Sequence, residues 1–348
     1  MSTIVELVRY PIKGCAGSSA PDSELKPAGL AHDRSFMVIG EDGTFRSQRR
    51  DPRLAVIRPE VADETLTLRA PGVEPVVVGV DSEGPRRDVM LFGAPYRGID
   101  QGELAASWLS DVLGVASRLV RVPPEHDRVT DGLTPGTSGY ADSSALLVVS
   151  RSSLDLLNER IASAGGEAVP MNRFRPNIVV DGWAEPHVED TVRRATVGGA
   201  ELGFTKIAIR CAVTLVDQET GVRAGPEPVR TLARYRRAPG GGVAFGAKFA
   251  VLRPGKLTVG DEFVVTGVGV SRDVSPCSKA TFTRRGGMNV ALLHPLSRGR
   301  RSPRTPSGRC PSAAAAPAAP HRAPARRPSV PPARPWPTTA PSAGASGR

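Results

Sequence analysis

The net charge of +11 on this 348-residue chain belongs to its C-terminal end. Residues 267–348 contain 13 Arg and one Lys against a single Asp, a net charge of +13, which leaves −2 for residues 1–266. A near-neutral body of this kind gives no sign of a nucleic-acid footprint. The length allows about two domains.

The four cysteines are scattered, and no CxxC or Cys/His spacing of the zinc or iron–sulfur type occurs. This pattern argues against a disulfide framework. The N-terminal residues lack a basic start followed by a cleavable apolar stretch, and no apolar run is long enough to span a bilayer. We therefore expect a soluble cytoplasmic protein that does not associate with membranes.

The first predicted strand covers residues 3–10 and is broken by Pro11. The loop that follows contains Lys13 and Gly14, and a glycine there lets backbone N–H groups approach a ligand closely. Lys13 is a candidate phosphate ligand, although a Lys-Gly turn is more commonly just solvated.

Arg34 precedes a predicted strand at residues 36–40, which a turn at residues 41–43 connects to a return strand. Its guanidinium can bind a phosphate through two hydrogen bonds, or form a surface ion pair with Asp33. Further strands are predicted at residues 54–57, 65–69, 73–80 and 88–92, and an amphipathic helix at residues 102–113. A small β-barrel or sheet fits this pattern.

A long polar loop over residues 123–139 precedes Asp142, Ser143 and Ser144, which lead into an apolar strand at residues 145–149. Two hydroxyls and a carboxylate at the mouth of a strand form a polar recognition set. Turn and cap chemistry explains the same residues at least as often.

Two helices are predicted in the second half of the chain. Ser152 or Ser153 caps the first, and Gly165 closes it. The second covers residues 227–237, with Pro228 in its first turn. Strands at residues 247–252 and 262–266 then complete the fold.

Arg175 stands ahead of Pro176, so its backbone is extended rather than helical, and Asn177 follows directly before a predicted strand at residues 178–181. These side chains offer hydrogen-bond donors to an anion or a polar heterocycle. A solvated basic turn is the comparable alternative.

Cys211 stands at the end of an alternating run, residues 201–209, where a predicted strand opens into a loop. Arg210 beside it favours the thiolate, and thiolates are the ligands that soft metals select. On local context alone, a lone cysteine is more often a small buried apolar residue. Six residues later, Asp217 is a candidate to orient a substrate or relay a proton, or it caps a turn, and we favour the cap.

From about residue 267 the composition becomes rich in Pro, Ala, Ser and Arg and almost free of acids. Such a segment cannot bury enough apolar surface to offset its chain entropy, so we expect disorder. Its charge suits polyanion binding, and its composition also matches a shifted reading frame in GC-rich coding sequence.

Five segments in this order and spacing resemble the MOSC family, named for the C-terminal domain of molybdenum cofactor sulfurase, in its amidoxime-reducing branch. They are residues 10–15, 33–36, 142–144 and 173–179, and the Arg210-Cys211 pair with Asp217 and Thr220-Gly221. The resemblance implies a mixed α+β fold that is mainly β. It comprises an N-terminal β-barrel-like domain (residues 1–118), a MOSC β-barrel (residues 119–266) and a disordered tail (residues 267–348).

The resemblance also implies a molybdenum cofactor, a pterin-bound molybdenum, held between the two domains. Cys211 would be the single protein ligand to the metal and the catalytic residue. Lys13 and Arg34 would hold the cofactor phosphate. The residues that contact the pterin or orient the site would be Ser143, Ser144, Arg175, Asn177 and Arg210.

The activity implied is a two-electron reduction of small N-hydroxylated compounds, with electrons from a separate reductase or ferredoxin-type protein. Where the family commonly carries Thr-Thr and Asp-Pro after the cysteine, this chain has Thr214-Leu215 and Asp217-Gln218. The alternative is a sulfur carrier or transfer protein with a persulfide on Cys211. A non-catalytic protein that stores the cofactor is a third reading.

Overall fold

The computed structural model of the chain describes residues 1–269, all of which belong to one compact unit. The described region is mainly β, as the sequence predicts. No helix in it is both long and apolar enough to cross a membrane. The expected disordered tail lies outside the described residues, except for its first three.

The first half of the chain contains twelve strands and one helix. The strands are β1 (Thr3–Arg9), β2 (Ile12–Lys13), β3 (Ser18–Ser19), β4 (Asp22–Lys26), β5 (Gly29–Leu30), β6 (Phe36–Ile39), β7 (Arg58–Ala62), β8 (Thr65–Ala70), β9 (Val73–Gly79), β10 (Arg86–Leu91), β11 (Ala94–Asp100) and β12 (Arg118–Arg121). The helix is α1 (Gly102–Leu113). A five-stranded sheet has the order β10-β11-β12-β6-β2, and β7, β8 and β9 form a three-stranded sheet.

The second half contains nine strands and two helices. The strands are β13 (Val129–Thr130), β14 (Gly136–Thr137), β15 (Leu146–Ser150), β16 (Ile178–Asp181), β17 (Val192–Val197), β18 (Ala200–Arg210), β19 (Val243–Arg253), β20 (Gly255–Thr258) and β21 (Val264–Val268). The helices are α2 (Arg151–Ser163) and α3 (Val229–Tyr235). Eight strands form one large sheet in the order β21-β17-β18-β19-β15-β16-β1-β3.

The N-terminal segment contributes strands to the second half of the fold. Strand β1 pairs antiparallel with β16 in the large sheet, and β4 pairs antiparallel with β20. Residues 1–30 therefore tie the two halves together. As a result, the loop after β1 comes to lie next to loops from the second half.

Four apolar clusters of the described residues hold these layers together. The smallest joins Met37 and Val120 to Tyr140, and the other three are larger. One lies on a face of the large sheet and includes Leu146, Phe204 and Phe249. A second packs α1, through Trp108 and Leu109, against the strands of the first half. The third lies between the large sheet and helices α2 and α3.

The bounds of α1 are those predicted, because its apolar residues follow helical spacing and Gly114 ends it with a left-handed φ of +70°. The predicted cap of α2 is wrong. Ser150, the last residue of β15, is the N-cap, and its hydroxyl accepts a hydrogen bond from the Ser153 N–H. Ser152 and Ser153 lie inside the helix.

The strand predicted at residues 54–57 is also wrong, because Pro52–Val56 form a 3₁₀ helix. Leu54 and Ile57 are fully buried there. The apolar run therefore indicates that these residues are buried, but it does not indicate a strand. At the other end of the fold, the last strand begins and ends two residues later than predicted. It thus includes two residues that the sequence assigned to the tail.

Candidate functional site

One cleft of about 340 Å³ collects all eight residues that the sequence singled out as a site. It lies where the loop after β1, the loops before β15 and β16, and the end of β18 meet. The eight are Lys13, Arg34, Ser143, Ser144, Arg175, Asn177, Arg210 and Cys211. Segments more than 190 residues apart in sequence therefore line one cleft.

Lys13 is buried in the wall of the cleft, with 6% of its surface exposed. Its ammonium donates to the carbonyl of Tyr140 at 2.9 Å and to the carboxylate of Asp142. The same nitrogen lies 4.7 Å from the ring centre of Phe92 and 5.4 Å from that of Phe45. Burial lowers the pKa of Lys13, and the Asp142 carboxylate opposes that shift.

Arg34 and Arg175 both stack on the ring of Tyr10. Their guanidinium carbons lie 4.2 Å and 4.3 Å from the ring centre. Both arginines have left-handed backbones, with φ of 46° and 56°, a conformation that costs an ordinary residue energy and tends to occur at functional sites. The extended backbone predicted for Arg175 ahead of Pro176 is therefore wrong.

Both arginines are held in place by further hydrogen bonds. Arg34 donates two hydrogen bonds to the buried carboxylate of Asp33, at 2.8 and 2.6 Å. Arg175 donates to the side-chain oxygen of Gln218 at 3.1 Å. Burial lowers the pKa of Arg175 to about 10 and raises that of Tyr10 to about 12, so the ring stays neutral and the guanidinium charged at neutral pH. The ion pair considered for Arg34 exists, and it is buried.

Cys211 is exposed at the end of β18, directly before a 3₁₀ helix at Ala212–Leu215. Its carbonyl accepts hydrogen bonds from the N–H and the hydroxyl of Thr214, at 3.1 and 3.0 Å. These bonds fix the backbone and leave the thiol facing the cleft. The alternative of a small buried apolar residue is wrong for Cys211.

Cys15, the other cysteine that the structure describes, is fully buried, and burial raises its pKa to about 12. Its thiol is chemically inert at neutral pH. Within residues 1–269, Cys211 is therefore the cysteine available for chemistry.

Arg210 extends from the strand end next to Cys211. Its Nη2 donates to the carbonyl of Phe174 at 2.7 Å, while its Nε is buried without a protein partner. Burial lowers the pKa of Arg210, and Cys211 counteracts that shift. A buried donor without a partner costs energy unless a ligand completes it.

Three further polar residues line the cleft and differ in how fully their side chains are already hydrogen-bonded. They are Ser143, Ser144 and Asn177. The Ser143 hydroxyl accepts from the ammonium of Lys248 at 2.6 Å, and the Ser144 hydroxyl donates to the Ser143 carbonyl. Asn177 is 1% exposed. Its side-chain oxygen accepts from the Leu147 N–H, and its amide nitrogen donates to the Val8 carbonyl. Asn177 thus bridges β1 and β15 and has little surface left for a ligand.

Asp217 caps its own turn, which is the reading that the sequence favours. One carboxylate oxygen accepts from the N–H groups of Glu219 and Thr220 and from the Thr220 hydroxyl, at 2.9 to 3.0 Å. The hydrogen bond from the Thr220 N–H is the main reason that its pKa is lowered. Asp217 does not line the cleft.

Lys248 is a site residue that sequence reasoning missed. It lines the cleft from β19, and burial lowers its pKa to about 8. The signal was present, since Lys248 is the one charged residue among the ten residues 243–252, an otherwise apolar strand. A lysine in an otherwise buried strand usually has a polar partner, here the Ser143 hydroxyl.

A buried pair of amides, Gln48 and Gln218, was also missed. Each amide nitrogen donates to the oxygen of the other at 3.0 Å, and Gln48 also donates to the Gly14 carbonyl at 2.6 Å. The pair joins the loop that carries Lys13 to the loop that follows Cys211.

The cleft is strongly cationic although residues 1–266 carry a net charge of −2. Its lining includes seven cations against one acid, Asp142. The cations are Lys13, Arg34, Arg46, Arg49, Arg175, Arg210 and Lys248. No group of three His, Cys, Asp or Glu residues that could hold a metal occurs in the described part of the chain. This arrangement suits an anionic ligand and offers a metal one thiolate.

Comparison with known proteins identifies the family. The model of the MOSC N-terminal beta barrel domain matches residues 1–116, and that of the MOSC domain matches residues 135–264. The chain is similar to the mitochondrial amidoxime-reducing component 1 of Mus musculus, with 33% identity over 77% of this chain and 83% of that protein.

Two further relatives point the same way. The mitochondrial amidoxime reducing component 2 of Rattus norvegicus is 34% identical over 75% of this chain and 82% of its own length. The molybdenum cofactor sulfurase of Danio rerio is 31% identical over 71% of this chain and 32% of its own length. The chain belongs to the MOSC-domain family, in the branch that includes the amidoxime-reducing components.

Proposed function

We propose that this protein is a molybdenum-cofactor oxidoreductase that reduces small N-hydroxylated compounds. The observation that carries the proposal is an exposed Cys211 on a cleft with seven cations and one acid. The relatives named as amidoxime-reducing components support the substrate class. The cytoplasmic location expected from the sequence stays a prediction.

The residues of the cleft fit a pterin cofactor that carries phosphate. A cleft of about 340 Å³ is within the usual size range of small-molecule sites. The buried Arg210 Nε lacks a protein partner and offers a donor to such a group. Cys211 supplies the soft thiolate ligand that the metal requires from the protein.

In this proposal Lys13 and Arg34 bind the cofactor phosphate. Each already holds a carboxylate, Asp142 or Asp33, which fixes the direction of the cation. Arg175 and Arg210 add positive charge near the pterin. Ser143 and Ser144 offer hydroxyls, and Asn177 serves the site by joining β1 to β15 behind it.

When bound, the cofactor supplies two-electron oxygen-atom transfer. The overall reaction consumes two electrons and two protons, converts N–OH to N–H and releases water. The protein's contribution is to fix geometry and to offset negative charge in a cleft partly shielded from water. The electrons come from a separate donor protein.

The test compares the parent with Cys211→Ala, both made in a host that produces the molybdenum cofactor. We expect stoichiometric molybdenum and pterin in the parent, with loss of metal or of activity in Cys211→Ala. Cys15→Ala is the matched control, because Cys15 is buried away from solvent, and it should keep both. Reduction of an amidoxime by metal-free parent protein would contradict the proposal.

A sulfur carrier with a persulfide on Cys211 is the second candidate. The exposed thiol and the similarity to a molybdenum cofactor sulfurase favour it. Mass spectrometry separates the two candidates. A labile added sulfur on Cys211, removed by dithiothreitol and present without pterin, would favour the carrier.

A further inference from the structure

Four exposed arginines lie on two neighbouring segments, residues 49–53 and residue 223, and no role at the proposed cofactor site has been assigned to any of them. One of them, Arg49, also lines the cleft. Arg49, Arg50, Arg53 and Arg223 form what we call the arginine patch. None of the four has an ion pair among the described residues. Such a local excess of charge on a near-neutral body needs a reason.

The patch is continuous because its two segments touch. The Arg223 guanidinium donates to the Arg49 carbonyl at 2.7 Å. A Cβ built on Gly221 would lie 3.3 Å from the Arg53 Cα, so the turn after Cys211 packs directly on residues 52–53. The patch therefore spans the junction between the first half of the chain and the cysteine loop.

The acids around the patch are already engaged. Asp51 pairs with Arg46 at 3.3 Å, and Glu219 pairs with Arg58. Asp217 caps its own turn. The positive charge of the patch is thus not offset by its neighbours, and it is available to an external anion.

The arginine patch lies next to the cleft and to the loop that follows Cys211. Arg49 lines the same cleft as Cys211, and Arg223 follows the cysteine by twelve residues on a short hairpin that includes the bridge between Val216 and Arg223. Val222, which is 60% exposed, stands beside Arg223. Protein interfaces combine apolar side chains with a polar rim, so an exposed valine next to Arg223 is compatible with a docking surface.

We propose that the arginine patch is the docking surface for the electron donor, and that this donor presents an acidic face. The inference rests on the proposed function, since only a redox enzyme needs a donor. Docking there brings the donor's redox group to the mouth of the cleft that contains Cys211. Opposite charges also speed encounter between the two proteins.

A protein partner fits the patch better than RNA does. The exposed apolar side chain within it, Val222, is aliphatic, and none of the residues of the patch is one of the aromatic side chains on which single-stranded RNA typically stacks its bases. One member of the patch, Arg49, also lines the cleft. RNA and membrane lipid become outcomes of the test.

The test reverses two charges that lie outside the cleft lining, in the variant Arg50→Glu/Arg53→Glu. The control, Arg194→Glu/Arg253→Glu, makes the same change in charge near Glu201, about 30 Å away along β18 from Arg210 at the usual rise per strand residue. It also removes the exposed ion pair between Arg194 and Glu201, a contact that contributes less than about 1 kcal/mol. All proteins are full-length, so the basic C-terminal segment contributes equally. The probe is an acidic plant-type [2Fe–2S] ferredoxin, with reduced methyl viologen as a small donor.

At low ionic strength, we expect the patch variant to lose at least about tenfold in kcat/KM for ferredoxin, because steering by charge contributes this much. The difference should shrink as salt is added. Turnover with methyl viologen and molybdenum content should match the parent. The control variant should match the parent in every assay.

A binding measurement makes the docking proposal independent of turnover. Ferredoxin affinity at low salt, by biolayer interferometry, should fall in the patch variant and not in the control. If the parent lacks viologen-driven turnover, the proposed function fails while this binding result still decides the docking surface. Equal ferredoxin affinity in all three proteins would overturn it. So would stronger, patch-dependent binding to poly(U) RNA or to vesicles that contain phosphatidylserine.

Discussion

Replacing Lys13 with Met tests the cationic wall of the cleft most sharply. Lys13 is 6% exposed. The substitution keeps most of the length of the side chain and removes the ammonium, which donates to the Tyr140 carbonyl at 2.9 Å. A buried carbonyl left without that donor costs about 1–3 kcal/mol. Asp142 also loses its partner, but its side chain is 67% exposed, so that loss adds little.

We expect Lys13→Met to weaken cofactor binding more than it lowers the free energy of unfolding. A hydrogen bond to a charged group contributes about 1.5–3 kcal/mol, so loss of the Lys13 contact should weaken cofactor binding by roughly 10- to 150-fold. Urea unfolding of the apoprotein measures the first effect. Pterin fluorescence after gel filtration measures the second.

Lys206→Met is the matched control for Lys13→Met. Lys206 also pairs with an aspartate, Asp131, at 2.6 Å, but that carboxylate is 87% exposed. Its loss should change the unfolding free energy by less than about 1 kcal/mol and leave the pterin content unchanged. If Lys13→Met retains as much pterin as Lys206→Met, then Lys13 does not bind the cofactor and our reading of the wall is wrong.

Three further predictions follow from single groups. Gly14→Ala should destabilise the protein by about 1–2 kcal/mol in urea unfolding, because φ is +84° at that residue. The control Gly79→Ala, with open space around the new methyl group, should leave the free energy of unfolding nearly unchanged. Burial lowers the pKa of Lys248 to about 8, so pterin retention in the parent should fall as pH rises through 8 and this step should be missing in Lys248→Met. The fully buried Glu189 accepts hydrogen bonds from the hydroxyls of Ser150 and Ser153. Glu189→Gln should therefore lower the free energy of unfolding by at least about 2 kcal/mol. The control Glu60→Gln, in an exposed ion pair, should lower it by less than about 1 kcal/mol. An identical pH profile of pterin retention in the parent and in Lys248→Met would refute the role of Lys248. Equal losses of stability in a glycine variant and its control, or in a glutamate variant and its control, would refute the corresponding structural assignment.

The sequence predicted which residues belong to the site better than it predicted the contacts that they make. Residue type and position beside predicted strands made Lys13, Arg34 and Cys211 candidates, the family resemblance selected them, and the cleft contains all three. The stacking of Arg34 and Arg175 on Tyr10 was not predictable. It depends on β1 pairing with β16, and no local pattern encodes a contact across that distance.

Other misses have similar physical causes. Gln48 and Gln218 are 170 residues apart, so neither predicts the other. The apolar residues 54–57 were predicted as a strand because a short buried run does not distinguish a strand from a helical turn. Strand β11 was missed because its buried residues follow one another at its end instead of alternating along it.

The most direct test of the central claim is X-ray absorption at the molybdenum edge of the purified protein, in the parent and in Cys211→Ser. Cys211 is exposed on the cationic cleft and is the cysteine available there among residues 1–269. We predict that the metal in the parent has a protein sulfur neighbour in addition to those of the pterin, and that Cys211→Ser loses this one neighbour. An unchanged sulfur shell in Cys211→Ser, or a parent that binds no molybdenum when its host supplies the cofactor, would contradict the account.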